Sequence, residues 1–329
     1  MAHEIACRAV LDDAGWVDRS DRSRLEIGGP DRAKFLHNLV TNDVKRLAEG
    51  SGIEAFVTSL QGKTLAYVTL LAGEGSILLR TDPGVSEGLL PHLRKYGVFD
   101  DVTIEDATTW TFEYHLAGPR AVAFLEAQGV LIPAEGPLRH RVAELGKIAI
   151  RVVRESPTGR DGLTLIGPAD GASAVRELLA AAGIGPVDPE TFDALRIEAG
   201  TPVSGRDVTS GNLPQEVGRD ARTINFVKGC YLGQETVARL DALGHVNRIF
   251  RGARVEGSVV PPIGSALSFE GKSVGSVTSS AFSPGWKAPV ILAYVKVAQA
   301  VAGTRLTIAG EGVEEGTVAV VADLPMLPD

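Results

Sequence analysis

Lys228-Gly229-Cys230-Tyr231-Leu232-Gly233-Gln234-Glu235 sets a cysteine directly after a glycine, with a lysine two positions upstream and an apparent helix start just beyond. Gly229 lets the backbone turn at low steric cost, and Gly233 offers a second loose joint. From Gln234 the run to Leu240 reads as a helix with Glu235 in its first turn. A thiol near free helical N–H groups, with Lys228 close by, is a candidate for a favoured thiolate, either reactive or metal-binding. The competing reading is a small buried hydrophobe, the usual fate of a lone cysteine.

Downstream of this stretch the texture is strand-like throughout. Ile249 to Val255, Ala266 to Phe269, Ser273 to Ser280, Val290 to Val297, Arg305 to Ile308 and Gly316 to Ala322 are β-rich runs separated by glycine and proline. Six short strands at this spacing predict a small antiparallel barrel. Upstream, strands and helices mix without a regular alternation. Strands are expected over Arg24 to Ile27, Ile53 to Leu60, Thr64 to Leu71, Ser76 to Thr81, Val102 to Glu105, Trp110 to Leu116, Lys147 to Val153 and Gly162 to Ile166. Helices are expected after Asp31, over Val85 to Tyr96 despite Pro91, and over Arg120 to Gln128, Ser173 to Ala182 and Pro189 to Ala199. Asp31 is read as the cap of the first of these. No glycine-rich phosphate loop follows a strand, so the class is α+β rather than a doubly wound nucleotide fold. The expected division is an α+β core over residues 1–243 and a C-terminal β-barrel over 244–329.

Composition sets bounds on function. At 329 residues the chain is long for one core, and 44% hydrophobic with 22% charged residues is ordinary for a soluble globular protein. A net charge of −8 argues against general nucleic-acid binding, while leaving room for a local basic pocket. The stretch Met1 to Cys7 has no basic and apolar leader pattern, and no apolar run approaches a membrane span. Two cysteines, Cys7 and Cys230, give no disulfide framework, so a cytoplasmic location is expected, with Cys7 incidental near a loose terminus. One cysteine, with His245 as the other ligand considered, makes neither a closed zinc site nor a permanent iron–sulfur cluster, and no resident metal is expected. His3, His37, His92, His115 and His140 have no metal-ligand spacing and read as structural or exposed.

The cysteine stretch resembles the KGCYxGQE motif of the YgfZ-type proteins, folate-binding iron–sulfur cluster assembly and repair factors related to the glycine-cleavage T-protein, an aminomethyltransferase. The likeness runs along the chain. Leu25 to Arg32, Phe35-Leu36-His37-Asn38 and Thr41-Asn42-Asp43-Val44 resemble the superfamily's opening. Leu195-Arg196-Ile197-Glu198-Ala199-Gly200 and Leu213-Pro214-Gln215-Glu216 resemble its second block. Val237-Ala238-Arg239, Gly244 to Arg248 and Gly275 to Ser280 complete the series. The resemblance implies a folate-binding core in interleaved parts followed by a β-barrel, with tetrahydrofolate or a derivative as cofactor and iron–sulfur client or assembly proteins as partners.

A reduced folate needs a carboxylate for its pterin, apolar walls and a basic group for its glutamate tail. The resemblance favours Glu216 as pterin partner, with Glu198 as the alternative; Glu198 equally reads as paired with Arg196 or Arg206. Arg239 and Arg248 are candidates for the anionic tail, or surface ion pairs. Tyr231 and Phe226 are candidate aromatic walls, or core packing. One departure matters: Ala66 and Tyr67 stand where the T-proteins carry aspartates for aminomethyl transfer. The expected function is therefore a tetrahydrofolate-binding accessory factor for iron–sulfur proteins, with Cys230 as working thiol beside Lys228. A folate-dependent one-carbon transferase and an inert scaffold are the alternatives.

Overall fold

Strands form wherever apolar residues alternate or run together between glycine and proline breaks, and they assemble into three sheets. The computed structural model describes Cys7 and residues 10–244 and 246–328, except the side chain of Leu243. Met1 to Ala6, including His3, and His245 lie outside the described residues.

One sheet has the order β3 (Gly52–Thr58), β4 (Thr64–Ala72), β5 (Ser76–Thr81), β2 (Ser23–Gly28), β6 (Thr103–Asp106). Helices α1 (Arg32–Leu39) and α2 (Val85–Tyr96) cover it, and Phe35, Leu36 and Leu93 pack on Leu25, Ile27, Leu70 and Leu79. A second sheet has the order β11 (Gly185–Pro186), β1 (Gly15–Asp18), β7 (Thr111–Ala117), β10 (Gly162–Pro168), β9 (Ile148–Arg154), β8 (His140–Leu145). Here α3 (Arg120–Ala127) and α4 (Ala172–Ala181) supply Leu125, Val175 and Leu179 against Tyr114, Leu116, Val152 and Leu163. The third sheet is a closed antiparallel barrel of β12 (Arg248–Val255), β15 (Ala288–Lys296), β14 (Lys272–Ser283), β13 (Ala266–Phe269), β16 (Arg305–Ala309) and β17 (Val318–Ala322). Leu267, Val277, Ile291, Leu306 and Ala319 fill it. The expected α+β core with a C-terminal barrel is the architecture observed.

Three details differ from expectation. Asp31 caps no helix N–H with its side chain; its carboxylate accepts instead from the Asp101 amide across a loop. Cys7 is buried against Val10, Val17, Ala117, Val187 and Leu195, as a small hydrophobe, rather than loose. Strands β1, β8 and β11 escape sequence reading because they are short or lack a clear alternation, and pairing with neighbours holds them.

Buried charge ties the units together. Arg80 on β5 makes a two-pronged contact with Glu113 on β7 (3.1 and 2.7 Å) and reaches Glu155 at 2.8 Å. Helix α5 (Pro189–Glu198) starts at Asp188, whose carboxylate accepts from the Thr191 amide, the usual N-cap bond. It presents Arg196 to Asp207 at 2.8 Å, and Asp207 also accepts from Thr278 and Ser279 of the barrel, each at 2.6 Å. Beyond β17 the chain returns to the core, where the Met326 amide donates to the Glu198 carbonyl. Among the described residues no helix is long and apolar enough to cross a membrane.

Candidate functional site

A cavity of about 860 Å³ opens where the three sheets meet. Strand β3 contributes Glu54, β4 contributes Tyr67, and β7 contributes Glu113 and His115. Phe192 and Arg196 come from α5, and Gly200 to Val203 continue the wall. Val217 to Arg219 and Arg222 form another side, and Phe250 and Arg251 from β12 close it. Interiors rarely leave such a volume among polar groups, because an unmade hydrogen bond at a buried atom costs ~1–3 kcal/mol. Yet Arg22 Nε, Glu54 Oε2, His115 Nε2 and Arg219 Nε have no hydrogen-bond partner among the described residues. Glu54 and Arg219 approach to 3.5 Å as an ion pair without hydrogen-bonding. The Arg219 guanidinium lies 5.7 Å from the Tyr67 ring and that of Arg19 4.5 Å from Phe192, so flat cations and flat rings alternate along the wall.

Electrostatics in this wall are set by burial and pairing. Burial pushes the His115 imidazole down to about 4, so it is neutral near pH 7. Burial, the largest influence on Glu113 and Glu155, would raise both, but Arg80 and Arg22 together, joined by Arg24 at Glu113, outweigh it; Glu155 falls to about 2 and Glu113 lies well below the usual carboxylate range. Burial raises the Tyr67 phenol, which stays protonated.

The cysteine segment forms a separate region, clasped to the end of α1. Lys228 Nζ donates to the carbonyls of His37 (2.6 Å), Val40 (2.6 Å) and Asn42 (2.8 Å). An ammonium has three protons, and all three are committed there, so Lys228 anchors the loop. Burial, with Lys45 adding to it, pushes this amine down to about 7 while Asp43 favours its charged form, and its nitrogen sits 4.7 Å from the Tyr231 ring. Cys230 is exposed. Helix α6 (Gln234–Leu243) begins at Gly233, and this glycine is no loose joint. Its φ is +82°, and a Cβ there would lie 2.4 Å from the Ser59 carbonyl oxygen in the β3–β4 hairpin. The thiol loop is thus locked on both flanks.

The residues expected to bind folate are dispersed. Glu216 closes its own 3₁₀ turn (Pro214–Val217), accepting from the Leu213 amide, and pairs two-pronged with Arg248 at 3.1 Å. Glu198 is buried and accepts from Ser283. Tyr231 packs with Phe56, Val217 and Val237, while Arg239 and Phe226 are exposed. None of these lines the cavity, nor does Cys230. The residues that do, Glu54 and Arg219, were legible only faintly. Glu54 is a lone charge inside the apolar strand Ile53 to Val57, and Arg219 follows the Leu-Pro-Gln-Glu block by three residues. Among the described residues no group of three metal-ligating side chains converges.

Comparison with known proteins follows the same division of the chain. Residues 2–227 match the GCVT N-terminal domain, and residues 248–327 match the glycine cleavage T-protein C-terminal barrel domain. The chain is 29% identical to the "Putative transferase At1g60990, chloroplastic" of Arabidopsis thaliana over 94% of its own length and 71% of that protein. It is 28% identical to the aminomethyltransferase of Cutibacterium acnes, over 96% of this chain and 88% of the other. It is 30% identical to that of Rubrobacter xylanophilus, over 87% and 77%. The solved glycine cleavage system aminomethyltransferase T from Bartonella henselae superposes with a TM-score of 0.88 over 99% of this chain and 89% of that chain, at 23% identity, a likeness of fold.

Proposed function

We propose a function from one premise: the chain belongs to the GCVT family, that of the glycine cleavage T-protein. It is a tetrahydrofolate-binding member that serves as an accessory factor in the assembly or repair of iron–sulfur proteins, with the Cys230 thiol as its working group. The observation that carries the folate part is the cavity with polar atoms that lack hydrogen-bond partners among the described residues. Its chemistry fits a reduced folate: Glu54 accepts from pterin N–H groups, and Tyr67 and Phe250 wall the flat rings. Arg222 and Arg251 face a carboxylate tail. Bound there, folate would supply a carrier for one-carbon units. The thiol part is supported by exposure of Cys230 on a loop held rigidly at Lys228 and Gly233.

A second reading, folate-dependent aminomethyl transfer, is favoured by the names of the relatives. Against it stands β4, which offers the cavity a protonated phenol at Tyr67 and carries no carboxylate at all. A cationic amine intermediate needs such a carboxylate for positioning and charge.

Isothermal titration with tetrahydrofolate and 5-formyltetrahydrofolate tests the folate part, and saturable micromolar binding is expected. Cys230→Ser should bind folate as the wild type does, yet fail to restore iron–sulfur enzyme activities in cells lacking the protein. Full complementation by this variant would refute the thiol's role. Measurable turnover of an aminomethyl or N-methyl amine would put the second reading first.

A further inference from the structure

Glu54 and Arg219 reach the cavity from distant parts of the chain and meet there as an incomplete ion pair. Glu54 and Phe56 lie two apart on β3, and Tyr67 of β4 stands opposite Phe56, so all three share one face of the sheet. The Phe56 and Tyr67 rings are 5.5 Å apart. Arg219 is anchored by Nη1, which donates to the Gly200 carbonyl at 3.1 Å, and its guanidinium stands 5.7 Å from the Tyr67 ring. Arg219 Nε lies 3.5 Å from Glu54 Oε2, yet neither atom has a hydrogen-bond partner among the described residues. The two side chains are 15% and 17% exposed, and both line the cavity. Arg222 also approaches Glu54, at 3.9 Å, but it is 68% exposed and its charge is screened by water. Little is lost when a ligand engages a pair that does not hydrogen-bond itself, and a ligand that bonds both partners offsets the cost of burying them.

The pair sets an acceptor, the carboxylate, directly beside a donor, the guanidinium. The ligand edge that matches it has a donor beside an acceptor. A pterin with oxygen at position 4 has such an edge: its 2-amino group and N3–H donate, and the C4 carbonyl next to N3 accepts. We infer that Arg219 makes the cavity specific for 4-oxo pterins, donating to the C4 oxygen while Glu54 accepts from N3–H and the 2-amino group. The inference rests on the reading of the cavity as a folate site with Glu54 at the pterin, and it adds the group that chooses among pterins. A 4-amino pterin replaces the acceptor with a donor. Its amino hydrogens then meet those of the guanidinium, and neither group can bond the other. A site built to hydrogen-bond one substrate group rejects an analogue without it more strongly than an apolar wall does, because the buried partner is left unbonded.

The test is anaerobic titration calorimetry of the full-length protein at pH 8 with tetrahydrofolate and with its 4-amino analogue, tetrahydroaminopterin. The two ligands differ only at position 4. Wild type should bind tetrahydrofolate at least about tenfold more tightly than the analogue. Arg219→Met should weaken tetrahydrofolate by about tenfold and leave the analogue as it was or tighter, so that the preference collapses. Arg219→Lys, which keeps a cationic donor, should retain part of it. A purely structural role would weaken both ligands alike and leave their ratio unchanged; that result, or equal affinities in wild type, overturns the proposal. Should Arg219→Met fail to fold, the wild type decides through tetrahydrofolate labelled with carbon-13 at C4. Its carbonyl stretch should fall below the value in water on binding, and an unmoved stretch overturns the proposal. Absence of tetrahydrofolate binding would sink the folate reading and this inference together, whereas binding without preference at position 4 would sink the inference alone.

Discussion

Asp207 illustrates how single side chains join the units of this protein. Its buried carboxylate accepts from Arg196 (2.8 Å), the Val203 amide (2.9 Å), Thr278 and Ser279. Arg196 in turn reaches Ser279 at 2.7 Å and is only 1% exposed. Removing Asp207 leaves Arg196 with Asp193 at 2.7 Å as its remaining carboxylate, and strips the Val203 amide, Thr278 and Ser279 of their shared acceptor, a loss of ~1–3 kcal/mol. Asp207→Ala is therefore expected to lower the urea midpoint by that much stability, with the barrel loosening from α5. A loss below ~1 kcal/mol would mean that apolar packing of Phe250, Leu292 and Met326 on Ile197 holds the joint instead. Neither the pairing nor the burial of Asp207 was legible in Ser204-Gly205-Arg206-Asp207, which reads as an ordinary polar turn.

At the scale of elements, the turn Thr41-Asn42-Asp43 connects the cavity to the thiol loop. Asn42 Nδ2 donates to the carbonyls of Glu54 (2.9 Å) and Arg222 (2.8 Å), both cavity residues, while its own carbonyl accepts from Lys228. Thr41 Oγ1 donates to the Thr223 carbonyl at 2.6 Å, and the Asn225 amide donates to the Thr41 carbonyl. A ligand that stiffens Glu54 and Arg222 therefore also stiffens residues 223–232. Tetrahydrofolate should slow amide hydrogen exchange at Asn225, Lys228 and Leu232, and Asn42→Ala should reduce that protection without abolishing folate binding. Protection confined to the cavity wall would show that the two regions act independently. In the sequence the turn stands within a family block, but its bonds to Arg222, Thr223 and Lys228 span about half the chain and carry no local signature.

The molecule as a whole is built to be acid-labile. His115 and His140 are pushed to about 4 by burial, against an ordinary value of 6.5. Between those values the unfolded chain binds protons that the folded chain refuses, so stability falls as pH drops through the window. His115 alone contributes ~3 kcal/mol to that fall. The carboxylates act in the same direction at lower pH. Glu113 and Glu155 are depressed below 4.5 when folded, so their contribution is present above that value and lost as pH falls towards 2. Thermal melts at pH 7, 5.5 and 4.5 should give steadily lower Tm values, and His115→Asn should flatten the slope. A melting temperature constant over that range would mean that water reaches His115.

By itself the sequence determined the α+β class, the six barrel strands, most of the core's elements and the importance of the cysteine segment. These follow from two-residue and 3.6-residue periods and from glycine and proline breaks, forces that act within a few residues. Tertiary structure alone decided the site. It buried Cys7, paired Glu216 with Arg248 away from the cavity, and gathered Glu54, Tyr67, His115 and Arg219 from separate elements around one space. It also brought Lys228 to the His37 carbonyl, 191 residues apart, and so clasped the thiol loop to the end of α1. The reason is physical: a side chain's period says which face is buried, but the partner that meets a buried charge is fixed only when whole sheets pack, and then by the cost of leaving that charge unpaired.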